Sequence, residues 1–287
     1  MLRSLLCFVA LSVTAVGSAA DPAPLKLLFL GDNHAHRPQE RFVQLQPVLA
    51  AKGIAVKYTD DPNDLSKETL AGFDGLMLYA NIDSITPAQE QALLDYVASG
   101  KGFIPLHCAS YCFRNSPKFV ELVGAQFQKH GGEVFRVENA LPEHPIMKGY
   151  DGFESWDETY VHTKHNEKDR TVLEYRVQGG QADGKTKEPW TWVRTQGQGR
   201  VFYTAWGHDQ RTFGNPGFHN LVERGVRWAC GQDPAVAGAV VDSGRFDVPQ
   251  MTAIAPGLPF EYDEVGPKIP NYTPGQRWGV QGAAHTK

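Results

Sequence analysis

The sequence predicts an α/β fold: a mainly parallel sheet with helices on both faces, followed by an irregular C-terminal arm. Three observations predict it. From residue 25 to residue 125, short apolar runs alternate with stretches of helical periodicity across short links, as in strand–helix–strand units whose strands are buried on both faces. From residue 133 to residue 208, strand-like segments follow one another directly, so the sheet continues with antiparallel members. From residue 240 onward Pro and Gly accumulate and no periodic segment remains, which indicates an extended arm or linker.

In chain order, LKLLFLG (25–31) is a strand that stops at a glycine, and DNHAHRPQ is the polar loop after it. Phe42, Leu45, Val48 and Leu49 share one face of a helix over 41–51. Ile54–Tyr58 is a second strand, 65–71 a short helix and GLMLYA (75–80) a third strand. TPAQEQALLDYVASG (86–100) has a helix start and stop: Thr86 as cap, Pro87 at the first position, Glu90 in the first turn, Gly100 at the end. GFIPL (102–106) is the fourth strand, and a helix begins near Ser116. EVFRVE (133–138), FESWDETYVH (153–162) and TVLEYRVQ (171–178) are strands. PWTWVRTQGQGRVFYTAWGH (189–208) is a pair of strands joined around Gln196–Gly199, and Asn215–Ala229 is the last helix.

The first residues, MLRSLLCFVALSVTAVGSAADPAP, combine Arg3, an apolar run from Leu5 to Val16 and the small residues Ser18-Ala19-Ala20. This is the pattern of a secretory signal peptide. The run is shorter than the roughly 20 residues a membrane-spanning helix needs. The expectation is an exported, periplasmic or extracellular protein: a signal over 1–20, an α/β domain over 21–231 and an arm over 232–287. A formal net charge of −4 without a strongly basic segment argues against a nucleic-acid partner, because backbone binding needs clustered Lys and Arg. Cys108, Cys112 and Cys230 remain after the signal, too few for a disulfide framework.

In an open parallel sheet, ligands bind beyond the carboxyl ends of the strands. The loops at 31–38, 79–84 and 107–113 should therefore converge, together with the turn at 205–209. They bring His34, His36, His107, Cys108, His208 and Asp209. Two chemistries are open. Cys108 at the strand-to-helix turn, with His208 as base and Asp209 behind it, has the parts of a cysteine-nucleophile triad. Alternatively His34, His36, His107 and His208 offer three or four nitrogens to a divalent ion such as zinc, manganese or cobalt. Strand alternation in FESWDETYVH puts Trp156, Glu158 and Tyr160 on one face, so Glu158 becomes a candidate ligand or general base alongside His208 and Asp209. The same segment adds Asp157, His162 and His165. Trp156, Tyr160, Trp190 and Trp206 are candidates to stack on sugar rings, although core packing explains any single tryptophan.

Taken together, GDNHAHRP, GFIPLHCAS, EHPIMKG (143–149), DETYVH (157–162) and GRVFYTAWGHD (199–209) resemble the ThuA-like, or trehalose-utilisation, family over residues 25–231. The resemblance implies a flavodoxin-like three-layer sandwich of the class I glutamine amidotransferase type, and a link to sugar catabolism. In amidotransferases a cysteine stands at the elbow after the strand; here His107 stands there. Carried over by position, the resemblance favours His36, His107, Glu158 and His208 as a histidine-lined, metal-binding pocket. It implies a metal-assisted hydrolase or lyase acting on a small carbohydrate, with no nucleotide cofactor. A cysteine-dependent amidase and a non-catalytic carbohydrate-binding or docking module are the alternatives. The tail resembles linkers that lead to a further domain.

Overall fold

The computed structural model describes residues 23–177 and 187–239, together with a two-residue strand pair at 262–263 and 266–267. The expected signal segment and nearly all of the arm beyond 240 lie outside the described residues. Among the described residues, no helix is long and apolar enough to cross a membrane.

The elements run β1 (Leu25–Leu30), α1 (Pro38–Ala50), β2 (Ile54–Thr59), α2 (Lys67–Leu70), β3 (Gly75–Leu78), α3 (Pro87–Ala98), β4 (Gly102–Pro105) and α4 (Pro117–Val123). They continue as β5 (Gln126–Lys129), β6 (Gly132–Arg136), β7 (Glu138–Asn139), β8 (Glu154–Glu158), β9 (Val161–Thr163), β10 (Arg170–Val177), β11 (Lys187–Gln196), β12 (Gly199–Thr204), α5 (Gln210–Phe213) and α6 (Pro216–Ala229).

Eight strands form one sheet in the order β2-β1-β3-β4-β12-β11-β10-β7. The first five are parallel, with β12 paired directly to β4. β11, β10 and β7 then add on as antiparallel strands. This is the flavodoxin-like order, in which the chain leaves β1 in one direction and β3 in the other. Right-handed crossovers therefore place α1 and α3 on opposite faces, and a switch point opens between the carboxyl ends of β1 and β3. The strands are apolar because both faces are covered: Leu27, Leu28, Phe29 and Leu30 are all fully buried, as are Leu76, Met77, Phe103 and Ile104.

Local signals set the helix starts. Thr86 caps α3 in a reciprocal capping box whose partner is Gln89, at the third helical position, with Glu90 in the first turn. Ser116 caps α4 and Asn215 caps α6, each followed by Pro at the first position. Residues 232–239 continue the domain instead of starting an arm: Asn220 on α6 donates to the carbonyls of Ala237 and Gly238.

FESWDETYVH does not form one strand. It breaks at Thr159–Tyr160 and changes partner: β8 pairs with β6, and β9 pairs with β5. Two small ribbons thus stand over the carboxyl end of the parallel strands. The β6–β8 ribbon is seated by aromatic contact. Phe135 stacks on Trp206 at 4.5 Å and meets Trp190 edge-on at 5.1 Å.

Candidate functional site

Four side chains converge at the carboxyl edge of the sheet: His36 after β1, His107 after β4, His208 after β12 and Glu158 from the end of β8. Each offers one ligand atom, and the four atoms lie within 4.8 Å of one another. Glu158 is the hub. Its Oε2 is 3.2 Å from His107 Nε2, 3.2 Å from His208 Nδ1 and 3.7 Å from His36 Nε2. Its other oxygen, Oε1, is 3.3 Å from Nδ1 of a fourth imidazole, His130.

Backbone geometry aims these groups. His107 has φ 44°, a left-handed conformation that a non-glycine residue holds only at a cost of about 1–3 kcal/mol, sustained by its surroundings. It turns the chain sharply from β4 into the 3₁₀ turn at His107–Tyr111. Gly207, at φ 132°, makes the matching bend before His208. Asp157 locks that bend from the ribbon. It accepts from the backbone N–H groups of Gly207 (2.8 Å) and His208 (3.1 Å), and from the Thr212 hydroxyl (2.7 Å). Tyr79, at the end of β3, donates its hydroxyl to the Gly207 carbonyl at 2.7 Å.

Two of the rings are also fixed from behind. His107 Nδ1 lies 2.6 Å from the Ala205 carbonyl, which can only accept, so Nδ1 carries the proton. His36 Nδ1 lies 2.7 Å from Asn81 Oδ1, and the Asn81 N–H is held in turn by the Asp32 carboxylate. Rings pinned through Nδ1 present the Nε2 lone pair, the arrangement typical of metal-binding histidines.

The electrostatics follow from burial and the shared carboxylate. Burial pushes His107 down to about 3 against the pull of Glu158. For His208 burial acts the same way, but Glu158 outweighs it and holds the ring up at about 9. Burial would raise Glu158, yet His208, His107 and His36 hold it well below the ordinary carboxylate range. A neutral His107 then turns a lone pair toward the Glu158 carboxylate at 3.2 Å. Two acceptors at that distance call for a cation or a proton between them, and the set of three imidazoles and one carboxylate suits a borderline divalent ion. The cluster can hold such a metal.

The other predicted residues separate into two groups. Tyr160 stacks on His107 with ring centroids 4.1 Å apart, and half-buried Trp156 stands 5.7 Å from His208. Both belong to the site. Trp190 and Trp206 do not line it: they are fully buried and pack against each other and Phe135, because the ribbon needs an apolar seat. Asp209 is not aimed at the cluster. Its carboxylate caps α5 through the Arg211 N–H and pairs with the Arg211 guanidinium. Arg211 also lies over the Trp156 ring at 3.7 Å. His34 is mostly exposed and pairs with Asp32. Cys108 and Cys112 are free and fully buried, and burial pushes the Cys108 thiol well up, the opposite of what a nucleophile requires. Sequence reasoning missed His130 and Asn81. The signal for His130 was a histidine before Gly131-Gly132 at the end of an alternating Gln-Phe-Gln-Lys run.

The profile of the trehalose-utilisation family, ThuA, matches residues 26–229. The chain belongs to the ThuA family. Its solved structural relatives agree. A ThuA-like protein of Bacteroides uniformis ATCC 8492 superimposes with a TM-score of 0.62 at 22% identity, covering 77% of this chain and 99% of that one. A second, from Parabacteroides merdae ATCC 43184, gives 0.60 at 19% identity, covering 73% and 91%. At these identities the likeness establishes the ThuA-like fold and nothing finer. No curated protein matches the chain. ThuA membership suggests a carbohydrate-related role.

Proposed function

We propose that this ThuA protein is a metal-assisted hydrolase or lyase acting on a small sugar or keto-sugar derivative, exported by the apolar leader at its N-terminus. The observation that carries the reading is the buried Glu158 carboxylate ringed by imidazoles, with the His107 lone pair turned toward it at 3.2 Å. His36, His107, His208 and Glu158 would hold a divalent ion. When bound, such an ion supplies Lewis-acid polarisation of a substrate carbonyl or water.

The remaining chemistry falls to the chain's own side chains. His130 touches the outer oxygen of Glu158 and stands outside the four-residue set, so it is placed to carry a proton to or from substrate. Half-buried Trp156 beside His208 offers a flat apolar face to the C–H side of a sugar ring, while buried Tyr160 backs the His107 ring. Arg211, braced by Asp209, fixes the Trp156 ring from one side.

Elemental analysis of protein purified without chelator tests the proposal. The expected result is about one equivalent of divalent metal per chain, falling to near zero in His107→Ala, since a lost ligand leaves an incomplete geometry. Wild-type protein that stays empty after incubation with zinc, manganese and cobalt would remove the metal-assisted reading.

A further inference from the structure

A second polar chain, separate from the cluster, runs through the core behind the elbow. It starts at Glu188 on β11. The Glu188 Oε1 atom accepts from the backbone N–H of His162 at 3.0 Å and lies 2.8 Å from its ring Nδ1. His162 Nε2 lies 3.0 Å from the Tyr203 hydroxyl on β12. The Tyr203 oxygen is 3.1 Å from the His107 carbonyl and 3.0 Å from Ser110 Oγ, and Ser110 itself donates to the His107 carbonyl at 3.1 Å. His162, Tyr203 and Ser110 are buried, and the aromatic faces of Trp192 and Tyr203 close around His162.

Burying a carboxylate–imidazole pair among aromatic rings is costly unless every member is bonded. Here every member has a partner: the single Tyr203 hydroxyl proton is shared between His162 Nε2 and the His107 carbonyl, Ser110 gives that carbonyl a second donor, and the chain ends on that one atom, in the residue held at φ 44°. A carbonyl accepts a hydrogen bond but passes no proton on. The network therefore does not conduct protons into the site; it fixes a peptide. That peptide carries the His107 ring, whose Nδ1 must meet the Ala205 carbonyl on the opposite side.

We propose that Glu188, His162 and Tyr203 form a buried brace that holds the His107 peptide in its left-handed turn, which makes His162 a positioning residue for the cluster. The proposal rests on the metal reading only for its most sensitive readout, cobalt(II) binding. In the full-length protein, Tyr203→Phe and His162→Leu are expected to weaken cobalt(II) about 10- to 100-fold and to alter its visible band, as loss of outer-shell support does. His162→Gln, whose amide can both donate to Glu188 and accept from Tyr203, is expected to recover most of the affinity. Leu49→Ala, a core change on α1 away from the brace, should lower thermal stability and leave affinity and band unchanged. Wild-type affinity in Tyr203→Phe, or equal loss in Leu49→Ala, would overturn the proposal. If wild-type protein binds no cobalt, the metal reading fails alone, and ¹⁵N-histidine spectra then test the brace. The His107 Nδ1 proton should be exchange-protected in wild type and Leu49→Ala and lose that protection in Tyr203→Phe; retained protection there would overturn the brace.

Discussion

The parallel strands and the ribbons above them both deliver residues to the site, by different means. His36 and His107 leave the ends of β1 and β4, and topology alone brings them together. Each ring is then pinned through Nδ1, by Asn81 or by the Ala205 carbonyl. Glu158 and His130 come from the short ribbons β6–β8 and β5–β9, which lie outside the main sheet. The placement of Glu158 depends on side-chain bonds, above all those of Asp157, and that of His130 on the ribbon pairing. In this protein the sheet supplies direction, and the ribbons supply the charge.

The sheet is most tightly packed where β12 begins. A Cβ added to Gly199 would sit 1.8 Å from the Val97 carbonyl on α3 and 2.7 Å from that of Lys101, and neither backbone oxygen can move aside locally. Gly199→Ala is therefore expected to destabilise the whole domain by about 3 kcal/mol or more, the upper range for overpacking. A urea midpoint equal to wild type would show that the close approach of β12 to α3 is not part of what holds the sheet.

The next effect separates the regions. Asp157→Ala strands the buried N–H groups of Gly207 and His208, while the Thr212 hydroxyl turns to Ser155 and the Trp156 carbonyl. The expected cost is on the order of 3 kcal/mol of stability, with metal affinity falling as well. Asn81→Ala removes one bond behind one ring, so affinity should fall about 10- to 100-fold with little change in melting temperature. Calorimetry and metal titration on both variants check this. Equal stability losses would mean that the ribbon is held no differently from the sheet.

This division also explains what the sequence could reveal. The parallel strands are legible because burial on both faces demands continuous apolar runs, and histidines placed just after such runs at 36, 107 and 208 must share an edge. Glu158 and Tyr160 were legible from alternation, which survives although the strand breaks at Thr159–Tyr160. His130 was not legible, because its place depends on the pairing of β5 with β9, in which Lys129 meets Val161, 32 positions on, and no local pattern encodes that. Trp190 and Trp206 misled for the converse reason. The same bulk that suits a sugar also suits the seat of a ribbon, and only the presence of Phe135 above them decides.

The smallest effect concerns a buried carboxyl that takes no part in the site. Glu174 on β10 is buried; Thr191 on β11 donates to it at 2.5 Å, and Tyr150 packs nearby. Burial, only partly offset by Thr191, raises it from 4.5 to about 7. In the unfolded chain the carboxyl loses its proton near 4.5, while in the folded chain it keeps it to about 7. The folded state thus binds more protons across that window, so stability falls as pH rises through it and levels off above. The shift of about 2.5 units bounds the loss at about 3 kcal/mol, since each unit is worth about 1.4 kcal/mol. Glu174→Gln keeps an acceptor for Thr191 and cannot ionise. Urea unfolding of both proteins at pH 5 and pH 8 isolates this group, because every other titration is common to the pair. The variant is expected to gain on wild type by about 1–3 kcal/mol between the two pH values. A difference that stays constant from pH 5 to pH 8 would show that Glu174 ionises freely in the folded protein, and that the antiparallel half is less tightly sealed than its packing implies.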